Sequence, residues 1–294
     1  MELASSKWAL GGILVGVKDD ILEVENWDKG DFYVGATLRN RVNNFRWNLY
    51  VIYGPAQHAS SPRFLSELSL LGENSVLPYI IGGDFNLVRS QEDQSYGVVN
   101  KKLMDAFNNY IEQCDLREIR RGGAKYTWTG SQQNPSRSNI DRILMTTSWE
   151  QHFPLCNLTT LTRVGSDHCP LLLDTGEVPA YKRKQFYFEK QWLKQDGFFQ
   201  RLKDKWEEGQ NRCPEGAYSL DKWHGLLGLL RQNLRGWGDN IRGEFRRKKK
   251  LLQAKIELLD AKSQDGWSSE VMEERRSIES DLEKIFEDEE LYWQ

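Results

Sequence analysis

Alternation of apolar and polar positions dominates the first part of this chain, and spacing by threes and fours replaces it in the last third. Phe32, Val34, Ala36 and Leu38 alternate with polar or small neighbours, and after the polar turn at 39–44, Trp47, Leu49, Val51 and Tyr53 do the same. This predicts a meander of antiparallel strands ended by Gly54-Pro55. Upstream, Gly11–Val17 and Ile21–Val24 flank Lys18-Asp19-Asp20 and predict a β-hairpin. Ser61-Pro62 opens a helix, with Ser61 as its N-cap; Phe64, Leu65, Leu68 and Leu71 line one face, and Gly72 stops it. A strand follows over Leu77–Phe85. Asn100 caps a second helix with Leu103, Phe107, Ile111 and Cys114 on its apolar face. Strands resume at Lys125–Thr129, Asn139–Met145 and Leu171–Asp174.

After Gly176 the character changes. Lys182-Arg183-Lys184 sits in a polar linker, and from about Leu193 the period is helical. Trp223, Leu227, Leu230, Leu234 and Trp237 form a coiled-coil-like seam that Gly236 and Gly238 interrupt. Phe245, Leu252, Ile256 and Leu259 form another; Ser263–Gly266 makes a turn, and Ile278, Leu282 and Ile285 give an antiparallel return helix. The pattern divides the chain into a strand-rich domain over 1–177, a linker over 178–192 and a helical connector over 193–294. The expected class is α/β (α+β), with two mainly antiparallel sheets packed face to face, helices outside them and an all-helical extension.

Composition narrows the classes. The chain has 294 residues, 39% of them hydrophobic and 12% aromatic, which is enough for a packed core. The formal net charge is -3, so no bulk basic field announces a nucleic-acid binder. The strand-rich part carries 17 basic against 21 acidic residues up to residue 178, and the remainder 23 against 22. A polyanion would therefore be met locally, or through a metal. Cys114, Cys156, Cys169 and Cys213 are scattered without a Cys-x-x-Cys pair, which reads as reduced thiols. No stretch reaches the roughly 20 apolar residues of a membrane span, and the start lacks a signal-peptide pattern. An intracellular protein, nuclear or cytoplasmic, is expected.

The basic run at 246–250 could meet a phosphate backbone, or could be the solvated face of the helical hairpin, offset by acids at 270–274 and 287–290.

Candidate chemistry gathers at strand ends. Ile80-Ile81-Gly82-Gly83-Asp84-Phe85-Asn86 reads as a buried strand running into a polar turn. Asp84 and Asn86, two apart on an extended backbone, would point to one side, a carboxylate to take a proton and an amide to hold an oxygen. Asp141 sits in a strand between Ile140 and Ile143, and Asp167-His168 lies in a turn before an apolar strand. Each has a bland reading: Gly-Gly-Asp as ordinary turn chemistry, Ile-Asp-Arg as a strand-edge ion pair, Ser-Asp-His as a capping turn. Together they suit metal-assisted hydrolysis of a phosphate ester. Asp84 is the general base for water, and Asn86 orients the nucleophile or the phosphate. Asp141 accepts a hydrogen bond from His168 and keeps the imidazole protonated toward the phosphate oxygen. Asp167 contributes to a hard-cation site, most plausibly for Mg²⁺ and alternatively Mn²⁺.

In order, Gly82-Gly83-Asp84-Phe85-Asn86, Ile140-Asp141-Arg142 and Ser166-Asp167-His168-Cys169-Pro170-Leu171 resemble the late motifs of the endonuclease/exonuclease/phosphatase family. Tyr53, in Val-Ile-Tyr-Gly-Pro, looks like that family's active-site tyrosine, and Tyr126-Thr127-Trp128 looks like its Thr-Trp strand. Within the family the likeness is to endonuclease domains of plant non-LTR (LINE-type) retrotransposons, in which a helical connector similar to Val178–Gln294 follows the nuclease. The resemblance implies a four-layer αββα sandwich, a divalent cation and DNA as the partner bound through its phosphates.

It also implies two N-terminal strands, one bearing an Asn and one a metal-binding Glu, upstream of the segment that Gly11-Gly12-Ile13 resembles. Glu2 follows no apolar strand and is not a substitute. An incomplete nuclease fold with weak or no activity is therefore expected. Two alternatives stand beside it: a non-catalytic remnant acting through its helical tail by self or partner association, and a phosphoesterase of the same superfamily with a non-DNA substrate.

Overall fold

The computed structural model describes residues 2–5, 12–130, 135–176, 186, 188–212, 218–262 and 268–293. The expected turn at 263–266 and the basic triplet at 182–184 lie outside the described residues. The chain divides into two units, Met1–Val178 and Pro179–Gln294.

In the first unit the alternating segments form strands as the pattern requires. β1 (Glu2–Ser5) and β2 (Gly12–Val15) pair antiparallel. A six-stranded sheet contains β3 (Leu22–Lys29), β4 (Tyr33–Asn40), β5 (Arg46–Tyr53), β6 (Tyr79–Asp84), β7 (Leu116–Glu118) and a later strand, β11 (Asp141–Thr146), in the order β3-β4-β5-β6-β11-β7. α1 (Ser61–Asn74) links β5 to β6, which makes that pair parallel, and α2 (Lys101–Gln113) follows β6. A smaller sheet combines β8 (Arg121–Gly122) with two strands near the end of the unit, β12 (Asn157–Thr160) and β13 (Leu171–Asp174). β9 (Trp128–Thr129) and β10 (Arg137–Ser138) make a short ladder, and α3 (Thr147–His152) follows β11.

Burial shows how the layers sit. On one face of the large sheet, Tyr33, Tyr50, Ile52 and Ile81 pack with Phe64, Leu65 and Leu68 of α1 and Phe107 and Ile111 of α2. On the other, Ala36, Leu38, Trp47, Ile80 and Met145 pack with Trp149 of α3, Phe153 and Leu158, backed by Leu171 and Leu173. The result is a mixed α/β fold of two facing sheets flanked by helices. Phe85, wholly buried between Phe64 and Phe107, pins the end of β6 into the helix-side core.

Several local readings change. The expected hairpin at 11–24 does not form: a turn closes where Leu22 N donates to Lys18 O at 3.2 Å, but β2 pairs back to β1 while β3 spends its ladder on β4. β1 was not expected, its four residues being too few to show a period. Pro78, which has no N–H to give a ladder, lies just before β6 and trims it to Tyr79–Asp84. Ser61 is the first helical residue of α1 and fully buried; Ser60 takes the cap position, and the helix runs past Gly72 to Asn74. Asn100 caps α2 as read, its side chain accepting from Leu103 N at 3.3 Å. The strand expected over Lys125–Thr129 shrinks to the two residues of β9.

The second unit is helical: α4 (Phe198–Arg212), α5 (Ser219–Lys262) and α6 (Ser269–Trp293). α5 runs unbroken for 44 residues through Gly236 and Gly238. The latter glycine has a packing role, because a Cβ there would lie 2.5 Å from the Trp192 indole. Trp192, from the stretch expected to be linker, is buried with Phe198 and Leu234. Leu226 is buried where the seam placed Trp223, which is half-exposed against Trp206. Leu252, Ile256 and Leu259 of α5 are buried, as are Ile278, Leu282 and Ile285 of α6. Lys249 pairs with Glu289 at 2.6 Å, and the buried Arg275 pairs with Asp260 at 2.9 Å and with Glu279. No helix of the described residues is long and apolar enough to cross a membrane.

Gly83 has φ +141°, and a Cβ on it would lie 2.2 Å from Ile52 O. We expect Gly83→Ala to cost about 2 kcal/mol or more, read as a lowered urea midpoint. Gly228→Ala, where an added Cβ meets nothing within 4 Å, should instead gain about 0.5–1 kcal/mol of helix stability.

Candidate active site

The register of two strands makes the site. β6 and β11 run antiparallel with Asp84 directly opposite Asp141, and on its other side β6 pairs Asp84 with Tyr53 at the end of β5. Three expected residues thus share one level of the sheet. Beyond it the chain turns sharply. Gly54 N donates to Asp84 O at 2.7 Å, and a Cβ on Gly54 would fall 2.2 Å from Phe85 O, so only glycine allows this approach.

Asn86 does not continue an extended strand beside Asp84, as its spacing suggested. Its φ is +51°, in the left-handed region that asparagine tolerates, and the side chain folds back. Its backbone N–H donates to Asp84 Oδ1 at 2.8 Å, and Nδ2 donates to Asp84 Oδ2 at 2.9 Å and to Gly54 O at 2.8 Å. Asn86 is a clamp on the carboxylate. Both of its amide hydrogens are committed, which leaves only the amide oxygen for a ligand.

His168 reaches the same level from the loop before β13. Its Nδ1 lies 2.9 and 3.1 Å from the two oxygens of Asp141, and its Nε2 lies 4.0 Å from Asp84 Oδ2. Asp141 therefore holds a proton on Nδ1 and turns Nε2 toward Asp84. The loop is stitched to β9: Thr129 N donates to Asp167 O at 2.9 Å, Cys169 N to Thr127 O at 2.7 Å, and His168 N to Ser166 Oγ at 3.1 Å.

The electrostatics follow from this packing. Burial, then the facing Asp141, pushes the Asp84 carboxyl up to about 6, although the Asn86 hydrogen bonds and His168 pull the other way. The hydrogen bond to Asp141 raises the His168 imidazole above its ordinary value, against the opposing effect of burial, and the charges of Asp141, Asp84 and Asp167 add to it.

Residues without an assigned role hold this frame. Thr127, fully buried, accepts at Oγ1 from Ile140 N at 3.1 Å and Asp141 N at 3.0 Å, which fixes the entry to β11. Its signal was the Thr-Trp dipeptide alone. Arg142 points away from Asp141 and is buried between Glu118 and Asp93, the latter at 2.6 Å, and donates to Asn139 O at 3.0 Å. Asn139 in turn gives its N–H to Asp93 O at 2.8 Å. The Ile-Asp-Arg ion pair is thus not between neighbours; each residue has its own partners on opposite faces of the strand.

Asp167 is exposed, and its Oδ2 accepts from Trp128 Nε1 at 3.0 Å. Tyr53 is 36% exposed. Among the described residues no group of three or more His, Cys, Asp or Glu could hold a metal ion. Both oxygens of Asp84 already accept hydrogen bonds. The described residues do not fit a resident divalent cation.

The profile of the endonuclease/exonuclease/phosphatase family matches residues 5–168, more than half of the chain. The protein belongs to this family. Solved structures similar to it include the endonuclease domain of TRAS1, a telomere-specific non-LTR retrotransposon, at 16% identity and a TM-score of 0.39, covering 49% of this chain and 63% of that one. A Bacteroides thetaiotaomicron mannosyl-6-phosphatase matches at 17% identity and a TM-score of 0.36, covering 53% and 67%. An AP endonuclease from Leishmania major matches at 16% and 0.39, covering 49% and 54%. The chain thus spans roughly two thirds or less of the structures it resembles. No curated protein matches it.

Because Asp84 ionises near 6 in the fold and at an ordinary 3.8 outside it, the folded state holds the extra proton, and stability falls as pH rises from about 4 to about 6. Asp84→Asn removes that loss. In urea titrations the variant should gain on wild type by about 1–3 kcal/mol between pH 4 and pH 7; a gap that does not change with pH would contradict the assignment.

Proposed function

We propose that this protein is a phosphodiester hydrolase acting on DNA, of the kind found in non-LTR retroelements, with Asp84 as general base and His168 as the cation facing the phosphate. One observation carries the reading: Asp84 and the Asp141-bound imidazole of His168 face each other across 4.0 Å at the end of a sheet, their proton affinities pushed in the directions such chemistry needs. A carboxyl near 6 is basic enough to take a proton from water and is still largely ionised at neutral pH. An imidazolium held by Asp141 places charge where a phosphoryl oxygen becomes more negative. Asn86 keeps the Asp84 carboxylate in one orientation, which spares its reorganisation during the reaction.

The choice of DNA and of a retroelement source rests on the order of the motifs in the sequence and on the helical segment after them. A divalent cation such as Mg²⁺ would enter with the substrate phosphates, as this ion commonly does when a site offers one or two carboxylates.

Nicking of supercoiled plasmid in the presence of Mg²⁺ tests the reading. Asp84→Ala and His168→Ala should each lower the rate by about 100-fold or more. The pH profile should be a bell, rising through about 6 as Asp84 ionises and falling above the ordinary 6.5 of histidine as His168 loses its proton. Asp141→Asn should move the falling limb to lower pH. Equal nicking by wild type and both alanine variants would refute the assignment.

A further inference from the structure

The 20 residues Arg231–Lys250 of α5 contain eight Lys and Arg against two acids, Asp239 and Glu244. Arg231, Arg235, Arg246, Arg247, Lys248 and Lys250 are exposed. Four of these fall in line. Arg231, Arg235, Arg246 and Lys250 are separated by four, eleven and four residues, so at about 100° per residue they share a stripe about 100° wide. At about 1.5 Å per residue the stripe is about 28 Å long.

One face of α5 is occupied. Leu226, Leu234, Leu252, Ile256 and Leu259 are buried inside the helical unit. The acid within the stripe is neutralised, since Asp239 pairs with Arg242 at 2.8 Å. Glu244 lies about 160° around the helix from Arg246. On the return helix, Glu289 pairs with Lys249 and Glu279 with Arg275. The four cations of the stripe are thus exposed as a line of like charge along α5.

We propose that this stripe is a docking surface for duplex DNA, gripping the phosphate backbone without reading its sequence. The choice of polymer rests on the phosphodiesterase reading of the Asp84 site. A duplex carries a negative charge about every 1.7 Å of its axis, counting both strands, so a stripe of about 28 Å laid along or across it meets several phosphates. Three of the four cations are arginines, whose planar guanidinium forks suit phosphate oxygens. An acidic protein surface would meet the charge as well, but would have to offer carboxylates along a straight line of that length. A duplex supplies dense, regularly spaced negative charge over that length whatever its sequence.

The test is fluorescence anisotropy of the full chain with a labelled 20-base-pair duplex in EDTA, where binding is read without cleavage. In the variant Arg231→Gln/Arg235→Gln/Arg246→Gln/Lys250→Gln, affinity at 0.1 M salt should fall at least about 10-fold, and the slope of log K against log salt should shrink by about 3 to 4. A control removing equal charge off the stripe, Lys203→Gln/Lys248→Gln/Lys255→Gln/Arg276→Gln, should keep most of the slope. The stripe rebuilt with lysine at the three arginines should bind, and circular dichroism should show equal helix in all variants. No binding by wild type, an equal loss in the control, or tighter binding of single-stranded RNA of the same length would overturn the proposal. Because the readout is blind to hydrolysis, failure to nick plasmid leaves this result standing, and failure to bind here leaves the Asp84 reading standing.

Discussion

Two carboxylates set directly opposite each other across an antiparallel strand pair are the constraint around which the strand-rich unit is built. Asp84 and Asp141 repel and are largely buried, an arrangement that costs stability unless something offsets it. The fold offsets it unequally. Asp141 is hydrogen-bonded by the imidazole of His168, whereas Asp84 is hydrogen-bonded by Asn86 and meets the imidazole only at 4.0 Å. Burial, then the facing Asp141, accordingly leaves the Asp84 carboxyl raised to about 6. The tension belongs to the site, and the sheet holds it in place.

The sheet can do so because its surroundings are over-determined. Phe85, between the two polar residues of the turn, is locked among Phe64 and Phe107, so the chain cannot relax away from Asp84. Gly54 and Gly83 let backbones approach where any side chain would collide. Thr127 ties the start of β11, and the buried Arg142 with Glu118 and Asp93 ties its far face to the loop after Asn86. Removing one partner from such a buried ionic group leaves a charge without compensation, typically about 3–5 kcal/mol.

Much of this was legible in the sequence, for identifiable reasons. The meander of β3, β4 and β5 shows because each strand has one buried face and so a clean period of two. α2 shows through its Asn100 cap and its apolar face. The convergence of Asp84, Asp141 and His168 was anticipated from strand-end residues that share a chemistry, although no spacing in sequence could give their distances. What stayed hidden has a physical cause in each case. The left-handed turn at Asn86 depends on Gly54 O, a partner 32 residues away. β1 and β9 are too short to carry a period. The unbroken course of α5 past two glycines follows from tertiary contacts such as Trp192 against Gly238, which outweigh helix propensity. The charged stripe of α5 was visible only as a run at 246–250, since its alignment with Arg231 and Arg235 needs a continuous helix across residues 236–238.

The protonation of His168 decides what the site can do. Its imidazole should be titrated by NMR on the histidine-labelled protein, with the resonance assigned through His168→Gln among the four histidines of the chain. A midpoint above the ordinary 6.5 is expected, falling to that value or below in Asp141→Asn, where the hydrogen-bonded charge is lost and burial remains. A wild-type midpoint at or below 6.5, unmoved by Asp141→Asn, would contradict it.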